Sequence, residues 1–406
     1  MEKIESKNGH LTITNEKENI SLEDCPFETL KKRLAHYKKE EEETSFPFTG
    51  GAAGYFGYDL ARGIEKLPAC AQAHPDVPDM CIGIYDRLFS FDHKNNTAHF
   101  LVYAENKEEA KKRFLQISEE QIPPSPKKNT PLQWAPEGSD EEYKNKIRNI
   151  IDYIYAGEVF QANLSRRWEA SLPETFDPFA HYLHLRKTNP APFAAYMNFG
   201  SLKIASTSPE RFLSVKGRNV ETRPIKGTLP SSKNPNLLLG SEKNRAENMM
   251  IVDLMRNDLS KVCENRSVCV PQLCGLETFE GVHHLVSIVK GTLRKKYGPV
   301  DLLKACFPGG SITGAPKVRA MEIIETLEPY RRGPYCGALG YIGFNGQMDT
   351  SITIRTLVYS GDTVTLQSGG GIVYDSNPEE ELQETCDKAQ KIFESFEPPE
   401  KKEDAA

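Results

Sequence analysis

The sequence has no long apolar run, no block of basic residues and no signal-peptide core. A helix that spans a bilayer needs roughly 20 apolar residues, and no run in this chain approaches that length. Residues 1–7 are mostly charged, whereas a signal peptide has an apolar centre. We therefore expect a cytoplasmic protein that has no membrane partner.

The charges and the cysteines exclude further classes. Lys and Arg total 51 against 57 for Asp and Glu, and the net charge of −6 offers little attraction to a phosphate backbone. The nine cysteines are an odd number, and none forms a Cys-x-x-Cys motif. We expect no nucleic-acid partner and no zinc site, and we interpret the cysteines as reduced and structural.

The length of the chain allows one large or two fused globular units. With 406 residues, of which 38% are hydrophobic, it can bury a sizeable core. The proline-rich segment 123–129 is typical of a linker. We predict an N-terminal region over residues 1–130 and a catalytic domain over residues 137–398.

The local patterns predict helices mixed with antiparallel strands. Ser139 and Glu142 form a capping box that begins an amphipathic helix, which ends at Gly157. The strand predicted over 159–166 contains Gln161, and a buried amide there has to form hydrogen bonds. The Asn345–Gly346 turn is typical of a β-hairpin. These patterns indicate an α/β protein with antiparallel sheets.

Lys226 is presented from a restricted backbone. It follows Pro224, which has a fixed φ, and precedes Gly227. A lysine held in this way can be poorly solvated, and desolvation frees the amine as a nucleophile or base. A surface lysine beside a turn glycine is the alternative that the local sequence leaves open.

A carboxylate lies on the apolar side of a long helix. The helix predicted from Ser241 to Cys263 is apolar nearly all round, which is typical of a buried helix. Glu247 shares a stripe with Ile251 and Leu254. A buried carboxylate requires a cation, a metal or several hydrogen-bond donors. The alternative is an ordinary first-turn glutamate favoured by the helix dipole.

Two further segments contain candidate functional residues. His283 and His284 lie next to each other in a predicted strand, so at most one of them points into any site. Ser311 belongs to the glycine- and hydroxyl-rich loop 307–316, which opens a helix. We favour carboxylate binding at this helix start over a structural cap.

The final helix, predicted to begin near Pro378, has two acids and a lysine at one side of its apolar stripe. They are Glu381, Glu384 and Lys388. On a lone helix they would form an ordinary solvated i,i+4 pair.

Taken together, these segments resemble the chorismate-utilising enzymes. The matching segments are residues 160–166, 208–210, 222–228, 245–248, 256–258, 284–287, 314–319 and 381–388. Each is a modest signal, but their order and number over residues 137–397 make the resemblance specific. It implies an anthranilate-synthase-like α/β (α+β) fold. In that fold two similar halves pack antiparallel β-sheets face to face, helices flank them, and the active site lies in the cleft between.

The resemblance implies a Mg²⁺ cofactor and chorismate as substrate. Glu247, Glu381 and Glu384 match the positions that hold the metal, and carboxylate oxygens suit this hard cation. The positions that match substrate-binding residues are Arg355, Tyr335, Gly369, Gly370, Thr228 and Lys388. A forked guanidinium suits a carboxylate of the substrate.

The resemblance also assigns catalytic residues, which are Lys226, Glu210, His284, Gln161 and Ser311. Glu210 matches the acid that protonates the departing C4 hydroxyl, which requires a raised pKa. Gln161 stands where members that add water at C2 have a lysine. Lys226 stands where anthranilate-forming members usually have alanine. It resembles the lysine that attacks C2 before ammonia adds at C4, which implies amination at C4.

Ammonia requires a source. No Gly-x-Cys-x-Gly elbow surrounds any cysteine, so the resemblance implies a separate glutamine amidotransferase subunit. The alternatives are a member that forms anthranilate and a non-catalytic chorismate-binding regulatory protein. Two departures from the family pattern stand out: an N-terminal region that is shorter by one or two strands and a helix, and Asn244 in place of an acid.

Overall fold

The computed structural model describes residues 2–37, 46–104, 106–117, 131–279 and 282–397. The predicted linker at 123–129 and the predicted boundary at residue 130 lie outside the described residues.

Helices and strands are numbered here in chain order. The strands are β1 (Glu2–Lys7), β2 (His10–Thr14), β3 (Asn19–Glu23), β4 (Gly51–Phe56), β5 (Met80–Tyr85), β6 (Arg87–Asp92), β7 (Thr97–Val102), β8 (Ala135–Pro136), β9 (Gln161–Ser171), β10 (Phe193–Asn198), β11 (Leu202–Ser208), β12 (Arg211–Lys216), β13 (Asn219–Arg223), β14 (Ile225–Pro230), β15 (Cys269–Phe279), β16 (Val282–Thr292), β17 (Gly314–Ala315), β18 (Ala338–Gly343), β19 (Met348–Ile352), β20 (Thr356–Ser360) and β21 (Thr363–Ile372). The helices are α1 (Pro26–His36), α2 (Lys107–Ile117), α3 (Asp140–Tyr155), α4 (Pro178–Thr188), α5 (Asn236–Leu239), α6 (Glu242–Ser260), α7 (Pro299–Cys306), α8 (Lys317–Leu327) and α9 (Pro378–Glu394), with short 3₁₀ turns at Tyr58–Gly63 and Gly310–Ile312.

The strands form two main sheets in which the paired strands run antiparallel. The larger sheet has the order β14, β16, β13, β12, β19, β18, β4, β5, β1, β2 and β3, with β15 beside β16. The smaller sheet has the order β10, β11, β20, β21, β9 and β17, with β8 beside β9. Strands β6 and β7 form a separate hairpin. The predicted hairpin at Asn345–Gly346 is confirmed as the connection from β18 to β19.

The two sheets pack face to face through apolar side chains. Tyr55 and Leu339 from the larger sheet form one buried cluster with Ile204 and Val358 from the smaller. The hydrophobic effect stabilises such a contact in proportion to the apolar area that it removes from water. The face-packed antiparallel arrangement expected from the sequence is therefore confirmed.

Helices cover the outer faces of both sheets. Ile251 and Met255 of α6 join the core of the larger sheet, and Ala389 and Ile392 of α9 pack on the smaller. This places α6 and α9, the two helices with the predicted metal ligands, on different sheets. None of the helices in the described residues is long and apolar enough to cross a membrane.

The local signals at the helix starts are confirmed. Ser139 accepts a hydrogen bond from the backbone N–H of Glu142, whose carboxylate accepts one from the N–H of Ser139. Ser241 caps α6 through the N–H of Asn244. Each cap satisfies backbone donors that the first helical turn leaves unpaired.

Strands near the N-terminus were not anticipated. β1, β2 and β3 extend the larger sheet beyond β5, so strands from residues 2–85 and 211–352 share one sheet. The sequence of β1 is rich in charged residues, yet this strand buries Ile4 on the face that packs against the core. The division of the chain into residues 1–130 and 137–398 stays a prediction.

Candidate active site

Lys226 lies on β14, next to a bulge in its pairing with β16. The bulge falls between Lys226 and Thr228, where Gly227 has a φ of +64° that favours glycine. The Lys226 side chain is 15% exposed, and its Nζ lies 3.0 Å from Oε2 of Glu247 on α6, which is 10% exposed. The sequence suggested an uncharged amine in a poorly solvated position. The structure instead gives a largely buried ammonium–carboxylate pair.

A second polar group approaches Lys226 across the cleft. A Cβ built on Gly371 of β21 would lie 2.1 Å from Nε2 of Gln161 and 3.4 Å from Nζ of Lys226. The amide of Gln161 and the amine of Lys226 therefore lie together beside β21, and a Cβ at position 371 would displace the Gln161 amide. Gln161 is 1% exposed, and its Oε1 has no hydrogen-bond partner among the described residues. It is an acceptor that a small N–H donor would satisfy.

The predicted metal ligands of α9 converge on the neighbouring glycine. A Cβ on Gly370 would lie 3.2 Å from Oε2 of Glu381, 3.8 Å from Oε1 of Glu384 and 3.6 Å from Nζ of Lys388. Lys388 also donates to the carbonyl of Gly369 at 2.9 Å, which ties α9 to β21. The absence of a side chain at Gly370 is what allows the acids of α9 to approach the strand.

Lysines neutralise these acids. Lys388 lies 2.7 Å from Glu384, and Lys243 of α6 lies 3.1 Å from Oε1 of Glu381. Burial would raise the pKa of Glu384, but the nearby ammonium groups, first that of Lys388 and then that of Lys226, outweigh it and lower that pKa below its ordinary value. Burial would lower the pKa of Lys243, but the carboxylates of Glu381, Glu247 and Glu384 outweigh it and raise that pKa. The charges of all three predicted metal ligands therefore stabilise the ammonium form of Lys243.

The oxygen atoms of these carboxylates are possible ligands for Mg²⁺. In this arrangement no three acidic, histidine or cysteine side chains of the described residues lie close enough together to hold an ion. Mg²⁺ commonly binds through one or two carboxylates, with water and substrate oxygens completing the shell. Glu381 and Glu384 beside Gly370 provide such a pair, while Glu247 is engaged by Lys226. The donors therefore fit the ion, and the three-carboxylate set predicted from the sequence stays a prediction.

Glu210 lies in surroundings that favour its protonated form. It is 5% exposed, and its carboxyl group interacts with the Ser311 hydroxyl, the Ile225 backbone N–H and the charge of Lys226. Burial raises the pKa of Glu210 to about 7 despite these three contacts, which lower it. Glu210 can therefore hold a proton near neutral pH. The Ser311 hydroxyl therefore contacts the predicted acid, while carboxylate binding by the amides of its loop stays a prediction.

His284 lies beside the same bulge. Its Nδ1 is 3.2 Å from the carbonyl oxygen of Gly227 and 3.2 Å from Oγ1 of Thr228. Because a carbonyl can only accept, the Gly227 contact places the proton on Nδ1. Burial lowers the pKa of His284, and the charge of Arg355 lowers it further while the Gly227 carbonyl opposes both. The ring is therefore neutral near pH 7, with Nε2 as its acceptor.

Arg355 is a partly buried cation with an unusual backbone. Its φ is +49°, in the left-handed region, and its carbonyl accepts from the N–H of Thr207 at 3.0 Å. No carboxylate of the described residues forms an ion pair with its guanidinium, and burial lowers the pKa of this group. A desolvated guanidinium of this kind binds a carboxylate strongly.

Tyr335, the predicted partner of Arg355, is 5% exposed, and burial raises the pKa of its hydroxyl. The backbone N–H of its neighbour Cys336 donates a hydrogen bond to the carbonyl of Thr353, two residues before Arg355. The guanidinium of Arg332 lies 5.9 Å from the Tyr335 ring. The two predicted clamp residues are therefore connected through the backbone.

Sequence reasoning missed two lysines that organise the site. Lys243 lies one helical turn before Glu247, a spacing typical of a solvated i,i+4 pair, yet it contacts Glu381 of α9. Lys317 donates to buried Asp258 at 2.5 Å and to the carbonyls of Cys306 and Pro308, and so fixes the loop that contains Ser311. Both contacts join segments distant in sequence. Lys317 lies in the matching segment 314–319, whereas no sequence signal pointed to Lys243.

Three comparisons with known proteins agree with this geometry. The family model of the chorismate binding enzymes matches residues 3–394. The chain is 43% identical over 399 residues to aminodeoxychorismate synthase component 1 of Escherichia coli (strain K12), covering 96% of this chain and 86% of that protein. It is 38% identical over 403 residues to anthranilate synthase component 1 of Thermus thermophilus, with the same two coverages.

A solved structure is similar over nearly the whole fold. Anthranilate synthase component I from Streptococcus pneumoniae TIGR4 superposes with a TM-score of 0.88 at 35% identity, covering 97% of this chain and 90% of that one. The match of the family model over almost the entire length, together with relatives of this identity and coverage, leaves one conclusion. This chain belongs to the family of chorismate binding enzymes.

Proposed function

We propose that this enzyme is an aminodeoxychorismate synthase component that converts chorismate and ammonia to 4-amino-4-deoxychorismate. The observation that supports this most directly is the position of the Lys226 amine. It is held 3.0 Å from Glu247 and beside Gln161, where it occupies the space next to β21. The 43% identity to an aminodeoxychorismate synthase component 1, against 38% to an anthranilate synthase component 1, supports the same choice.

Binding of chorismate begins with charge. Arg355 would supply a guanidinium for one carboxylate of the substrate, and Tyr335, Gly369 and Gly370 would complete this clamp, as the family resemblance implies. Glu381 and Glu384, with Glu247 nearby, would hold Mg²⁺. When bound there, the ion supplies positive charge that binds the ring carboxylate and withdraws electrons from the ring.

Attack requires a neutral amine. In the resting arrangement Lys226 is an ion pair with Glu247, so its proton has to leave first, and the Glu247 carboxylate at 3.0 Å is placed to accept it. The lone pair of Lys226 then forms a bond to C2. The ring double bonds shift, and the C4–O bond breaks.

Glu210 completes this step by donating its proton, so that the C4 hydroxyl departs as water. Its pKa of about 7 keeps that proton available near neutral pH. Ammonia next forms a bond to C4, the double bonds shift back, and the C2–N bond to Lys226 breaks. Two smaller barriers replace one difficult displacement. The neutral His284 and the Gln161 amide supply acceptors beside these atoms.

We further propose that ammonia comes from a glutamine amidotransferase subunit, with which this chain forms a heterodimer, and that the enzyme acts in the cytoplasm. Two similar proteins are named component 1 of their synthase, which supports the existence of a partner component. The product would lead to 4-aminobenzoate, a precursor of folate.

A product-identity assay tests the proposal. The purified chain is incubated with chorismate, MgCl₂ and an ammonium salt, and the products are separated and identified by mass spectrometry. We expect a product that aminodeoxychorismate lyase converts to 4-aminobenzoate and pyruvate. Release of anthranilate and pyruvate without the lyase would instead indicate an anthranilate synthase. Chorismate binding without turnover would indicate a regulatory protein.

A further inference from the structure

Each carboxylate predicted to bind the metal is paired with a different lysine. The pairs are Lys226 with Glu247 at 3.0 Å, Lys243 with Glu381 at 3.1 Å and Lys388 with Glu384 at 2.7 Å. Three ammonium groups and three carboxylates sum to zero charge. The acid cluster is therefore electrostatically balanced without any bound ion.

The three lysines differ in how easily they can withdraw. Lys226 is 15% exposed and enclosed by the cleft. Lys388 is held to β21 by a second bond, to the carbonyl of Gly369. Lys243 is 42% exposed, sits in the first turn of α6, and has Glu381 as its one hydrogen-bond acceptor within the part of the chain that the structure describes. Lys243 is thus the ammonium that can leave at the lowest cost.

Glu381 is the carboxylate that most needs a cation. Its side chain is 4% exposed, and its Oε1 accepts from both Lys243 and the Ser376 hydroxyl, the latter at 2.7 Å. Its Oε2 faces Gly370, where Glu384 also converges. A carboxylate this buried is strongly destabilising when it is left without a positive partner.

We propose that Lys243 is an internal counter-ion that neutralises Glu381 in the metal-free enzyme and must release this carboxylate when a divalent cation binds. This inference rests on the proposed magnesium site. Metal binding is less favourable by the free energy needed to break the Lys243–Glu381 pair. Lys243 therefore keeps the metal affinity of the substrate-free enzyme low.

The test is a direct measurement of metal binding by variants of Lys243. Isothermal titration of MgCl₂ into metal-free protein, without chorismate, gives the dissociation constant for the wild type, Lys243→Met and Lys243→Arg. We expect Lys243→Met to bind Mg²⁺ roughly twofold to fivefold more tightly, the range for loss of one partly exposed competing ion pair. Lys243→Arg keeps the charge and should bind like the wild type. Glu381→Gln should lose most of the binding.

Lys304→Met is the matched control. Lys304 pairs with Glu28 at 3.0 Å and is 35% exposed, so its replacement removes one positive charge at an unrelated ion pair. The melting temperature supplies a second readout. Metal-free Lys243→Met should melt below the wild type because Glu381 loses its partner, and MgCl₂ should restore more stability to this variant than to the wild type.

The outcomes separate the two proposals. If the wild type binds Mg²⁺ and Lys243→Met binds it no more tightly, the counter-ion role is refuted while the magnesium site stands. An equal gain of affinity in Lys304→Met would assign the effect to net charge and would also refute the role. If neither the wild type nor Lys243→Met binds Mg²⁺, the magnesium site fails, and the inference fails with it.

Discussion

The pH dependence of the reaction offers the sharpest test of the role of Glu210. Burial raises its pKa to about 7, so the group is about nine-tenths protonated at pH 6 and about one-tenth protonated at pH 8. A general acid works only in its protonated form. We therefore expect the rate to fall about tenfold between pH 6 and pH 8 through loss of this proton.

A variant that shifts the pKa of Glu210 shows whether this group causes the falling limb. The Ser311 hydroxyl contacts the Glu210 carboxyl group and lowers its pKa. In Ser311→Ala this contact is lost, so the pKa of Glu210 rises and the falling limb moves toward higher pH. Ser267→Ala is the matched control, because Ser267 bonds to Glu264 and Thr292 away from the site.

The assay is ammonia-dependent consumption of chorismate at saturating MgCl₂, with kcat/KM measured from pH 5.5 to pH 9. This parameter reports the free enzyme, for which the pKa of about 7 applies. Glu210→Gln should lose most of the activity, and its pH profile of kcat/KM should no longer fall between pH 6 and pH 8. A limb that stays in place in both Ser311→Ala and Glu210→Gln would refute the acid role of this residue.

Three further predictions concern the nucleophile, the clamp and the glycine strand. Lys226→Ala should reduce the rate by roughly tenfold or more and abolish a covalent chorismate adduct detectable by intact-protein mass spectrometry; an unchanged rate would remove the covalent route. Arg355→Lys should weaken chorismate binding by roughly tenfold to a hundredfold, because a point charge replaces a forked donor, and equilibrium titration measures it; equal affinity would place the substrate carboxylate elsewhere. Gly371→Ala should abolish activity because its Cβ would lie 2.1 Å from the Gln161 amide. Gly63→Ala is the control and should be fully active, because no atom lies within 4 Å of a Cβ added at Gly63. An active Gly371→Ala enzyme would contradict the crowding that we describe.

Glu210 also connects function with stability. The ordinary pKa of a glutamate in the unfolded chain is 4.5, and in the folded protein it is about 7. Between these values the folded state binds more protons, so stability falls as the pH rises through this window. Replacement by glutamine removes a penalty of at most roughly 3 kcal/mol at pH 8. The acid role thus costs stability, as is common at active sites.

The parts of the fold that the sequence predicts are those determined by residues close together in the chain. The helix caps and the Asn–Gly turn act within four residues, so the sequence alone predicts α3, the start of α6 and the β18–β19 hairpin. The same kind of turn signal at Asn8–Gly9, which joins β1 to β2, was missed. The position of these strands in the larger sheet depends on contacts distant in sequence, namely the pairing of β1 with β5 and the burial of Ile4.

The candidate site shows the same division. Motif order was enough to name Lys226, Glu210, Arg355 and the acids of α9, because the family pattern keeps these residue types in a fixed order along the chain. The charge state of Lys226 was not accessible in this way. It depends on Glu247 approaching from another element, and the strength of such a pair depends on burial.

By itself, then, the sequence determined which chemical groups this enzyme possesses and which family they belong to. Only the tertiary structure decided which groups share a space. The packing of α6 and α9 against two different sheets brings Lys243 to Glu381, and Gly370 leaves room for the Glu381 side chain beside β21. The physical reason is that ion pairing and desolvation act over a few ångströms in space, whereas residue patterns record only distance along the chain.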